Sequence, residues 1–400
     1  VSQAPRGRDP GGASGGLGTL VRERRILLTV GPGGVGKTTT AAALGLEAAC
    51  LGRRALVLTI DPALRLADAL GLPDLEAGEI RELGRAQLVD AGVPARAGLA
   101  VCMLDTARAW TRSIERMVQD EARRARILEH PFFRRLQSDL AGAREYAALE
   151  ELHHLYLRGG FDLIVVDTPP TVAGMDFLEA PDRILDVLEQ DGYRWLMRPA
   201  LLTGKLGLRM LNFSGGYAVR TLSRFTGLDF LRELAGFVDL VSELLEGFRQ
   251  RAAAMKATLR SGVTAFVLVT AADPNLAEES RYLYRKLQRW EVRPASVVVN
   301  RMSPDPGESP PAGWLETAGQ ELGREGLVEA PLVLAAAARA QEALRAMHER
   351  DFRHLENLRE LLDRCCGMWP VPRLEGEVSD LAALEQLRRR LFEPMLGGFR

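Results

Sequence analysis

In the stretch TVGPGGVGKTTT, residues 29–40, Gly31 is followed by four residues and then by Gly36-Lys37-Thr38. This is the phosphate-loop spacing GxxxxGK[ST], with an apolar run before it and a helix-forming TTTAAALGLEAA after it. Each residue type suits a triphosphate. Gly33, Gly34 and Gly36 let the backbone curl closely around phosphate oxygens, so that the amides of Gly31 and of Gly33, Gly34, Val35, Gly36, Lys37, Thr38 and Thr39 turn inward at a helix N-terminus. Lys37 would neutralise the β- and γ-phosphates, and the Thr38 hydroxyl would ligate Mg²⁺. The chain has only four lysines, Lys37, Lys205, Lys256 and Lys286, against a large excess of arginine, which makes a lysine at this position informative. Two carboxylates complete the set. Asp61 follows the run ALVLTI and is placed to orient an attacking water, and Asp167 ends the run FDLIVVD, from which a carboxylate holds a metal directly or through water. Thr38, Asp61 and Asp167 are thus the candidate metal residues, and Lys37, Asp61 and Asp167 the candidate catalytic ones. Taken singly, either aspartate reads equally well as a helix or turn cap.

Such groups need a scaffold that brings strand ends together. Apolar, β-branched runs ending at Val30, Ile60, Leu104, Asp167, Thr270 and Asn300 alternate with helical patterns. Continuously apolar strands between helices indicate a mostly parallel sheet covered on both faces, a doubly wound α/β fold whose ligands bind at the strands' carboxyl ends. Between Ile184 and Ser261 the strand signal disappears. Leu231, Leu234, Phe237, Val238, Val241, Leu244, Leu245 and Phe248 recur there at helical spacing over a wide arc, which fits either a buried core helix or a surface for a hydrophobic client. A second helical stretch, Ala107 to Leu157, is expected beside it. We divide the chain into a disordered leader at 1–20, a phosphate-loop part at 21–184, an inserted helical lobe at 185–262, and the rest of the sheet with C-terminal helices at 263–400. After Asn300 the reading is a Pro-rich loop, one long helix, the segment MWPVPRL and a closing helix from Leu381 to Phe392. No internal repeat is visible, so a tandem duplication is not expected.

Composition narrows the partners. The 400 residues are 46% hydrophobic and 26% charged with a formal net charge of -1, which gives no reason to expect nucleic acid. Cys50, Cys102, Cys365 and Cys366 form no CxxC, and read as reduced, buried thiols of a cytoplasmic protein. No run of 18 apolar residues occurs, and the leader lacks the apolar middle of a signal peptide.

Taken together, GPGGVGKTTT, DPALRLADALG, FDLIVVDTPPT with FLEAP, and VVVNR resemble the arsenite-pump ATPase family, ArsA, which includes the chaperone ATPase delivering tail-anchored membrane proteins. The likeness runs from about Arg25 to Phe392. It implies a P-loop NTPase of the deviant Walker A group that hydrolyses ATP with Mg²⁺. Asp61 then matches the switch I aspartate, Asp167 with TPPT matches switch II, Asn300 matches the residue that binds the base, and Pro372 lies in the adenine-contacting loop. Guanine-specific relatives of this fold carry an aspartate where Ser303 stands, so ATP is implied over GTP. The resemblance also implies a homodimer and a hydrophobic client or membrane-protein partner.

This chain departs from the family pattern in several places. Pro32 stands where the family has a lysine that reaches across the dimer, and Leu64 and Ala173 replace histidines of the switch segments. Arg65 stands where a small polar residue is usual, and reads either as a compensating arginine finger or as a solvated side chain. Neither the family's arsenite-binding cysteines nor the tail-anchor chaperones' zinc CxxC is matched. Two alternatives remain: a ParA/MinD-like positioning protein using LEQLRRRLFEPMLGGF as a membrane-surface helix, and a small-molecule kinase, for which no acceptor site can be named.

Overall fold

The computed structural model describes residues 16–61, 65–131, 133–134, 143–169, 179–180, 228–307, 313–362 and 366–392. Six strands arise from the apolar runs: β1 (Ile26–Val30), β2 (Ala55–Thr59), β4 (Leu99–Met103), β5 (Leu163–Asp167), β6 (Thr264–Ala271) and β7 (Pro294–Met302). Two more, β3 (Ile80–Leu83) and β8 (Gly367–Pro372), close the edges. The order is β3-β4-β2-β5-β1-β6-β7-β8, with β3 antiparallel to β4 and every other pairing parallel. This is the doubly wound, mostly parallel sheet expected from the sequence.

The strand period of two sends alternate side chains into two cores. Leu27, Val57, Val101, Val165 and Val267 face α1 (Leu17–Glu23), α2 (Lys37–Cys50), α3 (Arg65–Leu70), α4 (Arg85–Asp90) and α12 (Leu381–Phe392). Leu28, Leu56, Ile164, Val166 and Phe266 face the other layer, which includes α5 (Thr106–Met117), α6 (Glu121–Glu129), α7 (Ala143–Arg158), α8 (Leu228–Arg260), α9 (Pro274–Arg289) and α11 (Ala330–Leu361). Because α2 is rich in alanine, it lies close to the sheet, and its residues 40–49 are all buried.

Several boundaries differ from the sequence expectation. The leader gives way earlier, since α1 already buries Leu17, Leu20 and Val21; residues 1–15 lie outside the described residues. The single helix expected after the Pro-rich loop is two, α10 (Trp314–Arg324) and α11, packed on each other. Of the region at 185–262, the described part is α8, 33 residues long. It buries Phe237 and Leu244, half-buries Val241 and Phe248, and packs on α7 and α6, which is core packing for these four positions. The side chains of Leu231, Leu234, Val238 and Leu245 lie outside the described residues. Cys102 is buried, whereas Cys50 and Cys366 are only half-buried, against the expectation of buried thiols, and Cys365 lies outside the described residues.

Candidate nucleotide site

The loop between β1 and α2 opens at the carboxyl edge of the sheet. Gly31 passes so close to β6 that a Cβ there would sit 1.9 Å from the Val269 carbonyl oxygen. Gly36 caps α2 in a left-handed conformation, φ 92°, and a Cβ there would sit 2.4 Å from Asn300 Nδ2. Glycine is required at both places on steric grounds. Lys37, the first residue of α2, is 7% exposed, and its ammonium donates to the carbonyl oxygens of Gly31 at 3.1 Å and Pro32 at 2.7 Å. Pro32 supplies no charge and no N–H, but its carbonyl helps hold the lysine inside the loop. Burial pushes the Lys37 ammonium below its ordinary value, and Asp167 and Asp61 oppose that shift.

Strand register places the rest. Thr29 of β1 and Thr59 of β2 both pair with Asp167 across β5. The carboxylate is 1% exposed and accepts from Thr38 Oγ1 at 2.7 Å and Thr59 Oγ1 at 2.9 Å, both on Oδ2. Its other oxygen, Oδ1, is buried with no hydrogen-bond partner among the described residues. Burial raises the Asp167 carboxyl to about 6 in spite of the two hydroxyl donors. A buried carboxylate oxygen without a donor, beside a threonine hydroxyl, is a pair of hard-oxygen donors that fits a magnesium ion. Asp61 stands just past β2, its N–H 3.3 Å from Thr59 Oγ1 and its Oδ2 paired with Arg65 Nη1 at 3.0 Å.

These groups open onto a cleft of about 730 Å³ lined by Gly34, Gly36, Lys37, Thr38, Thr39, Asp61, Arg65 and Thr168 together with Asn300, Arg301 and residues of the segment from Pro372 to Val378. Gly31, Val35 and Asp167 lie buried beneath it, and Gly33 is exposed on the loop. Asn300 is tied to the phosphate loop: its Nδ2 donates to the Val35 carbonyl at 2.9 Å and its Oδ1 accepts from the Arg301 N–H at 2.9 Å. One N–H and one lone pair of the carboxamide remain for a ligand. Ser303 is turned away from the cleft, its N–H and Oγ both donating to Asp351 Oδ2 of α11 at 2.8 and 2.7 Å. Leu64 and Ala173 lie outside the described residues.

Sequence reasoning missed Thr59, Arg301 and Arg373 as site residues, and Thr168 entered only as part of TPPT. Thr59 carries a usable signal, being the last strand residue before Asp61. Arg301 has the unusual φ of 59° and is held by the Asn300 bond, a conformation that no sequence pattern announces. The C-terminal arginine-rich segment is the closing helix of the fold: Leu384, Leu387 and Leu391 are buried, and Arg388 is paired inside with Glu385 and Glu47.

Comparison with known proteins adds the family. The family described as anion-transporting ATPase matches residues 24–317, most of the chain. The chain belongs to the anion-transporting ATPase family. An uncharacterized protein of Streptomyces coelicolor is 30% identical over 295 residues, 73% of this chain and 65% of that one. A protein of Aquifex aeolicus provisionally named an arsenical pump-driving ATPase is 25% identical over 287 residues, 70% of this chain and 64% of its own length. The ATPase get3 of Schizosaccharomyces japonicus is 25% identical over 277 residues, 69% of this chain and 74% of that one. The match therefore spans just under two thirds of the first two relatives. No described helix of this anion-transporting ATPase family member is long and apolar enough to cross a membrane.

Proposed function

We propose that the cleft binds ATP and hydrolyses it with Mg²⁺, and that the nucleotide state is passed to the helical region. The carrying observation is convergence: Lys37 with Thr38, Asp61, and Asn300 come from three separate segments into one cleft, with the unpartnered oxygen of Asp167, from a fourth, beneath. Lys37 and the loop amides neutralise the phosphates, and the cleft end at Asn300 and Pro372 takes the adenine. Thr38 and Asp167, with Asp61 nearby, would hold magnesium, which supplies charge neutralisation on the β- and γ-phosphates. Asp61 orients a water in line with the terminal phosphorus. As the water oxygen bonds to phosphorus, the bond to the β-phosphate oxygen breaks and its electron pair stays on ADP, while the water's proton leaves with phosphate or to solvent.

The same reading has the chain acting as a cytoplasmic homodimer that offers an apolar surface to a hydrophobic client or membrane protein, as family membership and the resemblance to the GET3 group support. A ParA/MinD-like role using the C-terminal segment has less support, because the apolar face of α12 is already spent on the core. Phosphate release by the purified protein tests the proposal. ATP with magnesium should yield ADP and inorganic phosphate, chelation should abolish turnover, and GTP should be a poorer substrate; a phosphorylated small molecule as product would point to a kinase instead.

A further inference from the structure

Among the described residues, four cationic side chains line the cleft, Lys37, Arg65, Arg301 and Arg373, and of these Arg65 is the one paired with Asp61. Lys37 is enclosed by its own loop, whereas the Arg65 side chain is 60% exposed and leans over Asp61. Its charge is close enough to Lys37 to oppose protonation there. An exposed pair four residues apart is held weakly, so a stronger anion can take the guanidinium from the carboxylate. A terminal phosphate is such an anion, because its oxygens suit the planar fork of arginine better than a single carboxylate oxygen does.

We propose that Arg65 is a catalytic residue of this site: without nucleotide it is latched on Asp61, and with ATP it exchanges that carboxylate for γ-phosphate oxygens. The exchange does two things at once. It brings a second positive charge, from within the same chain, onto the phosphate as charge develops in the transition state, and it releases Asp61 Oδ2 to accept from the attacking water. The latch keeps Asp61 from orienting water before a triphosphate arrives. This inference rests on the ATP-hydrolysing reading of the cleft.

The test compares wild type, Arg65→Ala and Arg65→Lys by ATP affinity, by kcat and KM of phosphate release, and by thermal unfolding without nucleotide. Arginine contacts of this kind are worth about 10³ or more in turnover, and we expect Arg65→Ala to lose at least about 30-fold in kcat. Nucleotide affinity and unfolding temperature should stay close to wild type. Arg65→Lys should recover part of the loss, since it keeps the charge without the fork. Turnover by Arg65→Ala within twofold of wild type overturns the proposal, as does a loss of affinity and unfolding temperature that alone accounts for the lower rate. A wild type that binds no ATP refutes the underlying reading first, and the role of Arg65 with it.

Discussion

Asp167 is the residue on which the site's electrostatics turn. The sheet buries it between Thr29 and Thr59, and no cation among the described residues takes its Oδ1. Its carboxyl titrates near 6 instead of the ordinary 3.8, so folding favours the protonated form. The stability this gives is complete below the ordinary value and is lost as pH rises through about 6. Without metal, the ionised form costs the fold about 2–3 kcal/mol above that window. Asp167→Asn keeps an oxygen for both threonine hydroxyls and removes the charge. Calorimetric unfolding without metal or nucleotide should therefore find the variant more stable than wild type at pH 8 and no more stable at pH 4. Equal stability of the two proteins at both pH values would contradict this account of the buried carboxylate.

Among elements, α12 has the most specific hold on the nucleotide-loop helix. Arg388 lies 2.6 Å from Glu47 of α2 and 2.6 Å from Glu385 of its own helix, and all three are at most 8% exposed. Removing one partner of a buried network leaves uncompensated charge, so Arg388→Met should cost about 3–5 kcal/mol in urea unfolding. Adding Glu47→Leu and Glu385→Leu should restore most of it; no recovery would assign the loss to packing instead. The Glu385 to Arg388 spacing is legible in LEQLRRRL, but Glu47 is 341 residues from Arg388 and only the fold joins them. The same limit governs the strands. Strands β1, β2 and β5 were readable as apolar runs because both faces are covered, and with them the positions of Lys37, Asp61 and Asp167. Strand β8 was not, since Pro370 and Pro372 speak against a strand; it persists as an edge that, among the described strands, pairs with β7 alone. Strand β3 was hidden for another reason: three of its four residues are exposed, which leaves no apolar run to see.

Across the whole molecule, two chains of contact lead away from the cleft. Asn300 ties the phosphate loop to the end of β7, and Ser303, three residues on, is fixed by Asp351 and by His348, whose Nδ1 lies 3.0 Å from its carbonyl oxygen. The cleft lining at Asn300 is thereby joined to α11. On the other face, α8 is held by polar contacts as well as apolar ones: Arg251 pairs with Glu150 of α7 at 3.6 Å, and Arg123 of α6 donates to the Leu240 carbonyl at 2.8 Å. Burial raises the Glu150 carboxyl in spite of Arg251 and Arg116, so this interface contains imperfectly compensated charge. The proposed function depends on a triphosphate entering the loop and displacing the Gly31 and Pro32 carbonyls from Lys37. Calorimetric titration of the wild type and Lys37→Ala with ATP and magnesium tests that most directly. The account predicts saturable binding by the wild type and affinity lower by at least about 100-fold, near 2.7 kcal/mol, in the variant. Equal affinity in the two proteins, or no binding heat from the wild type, would contradict it.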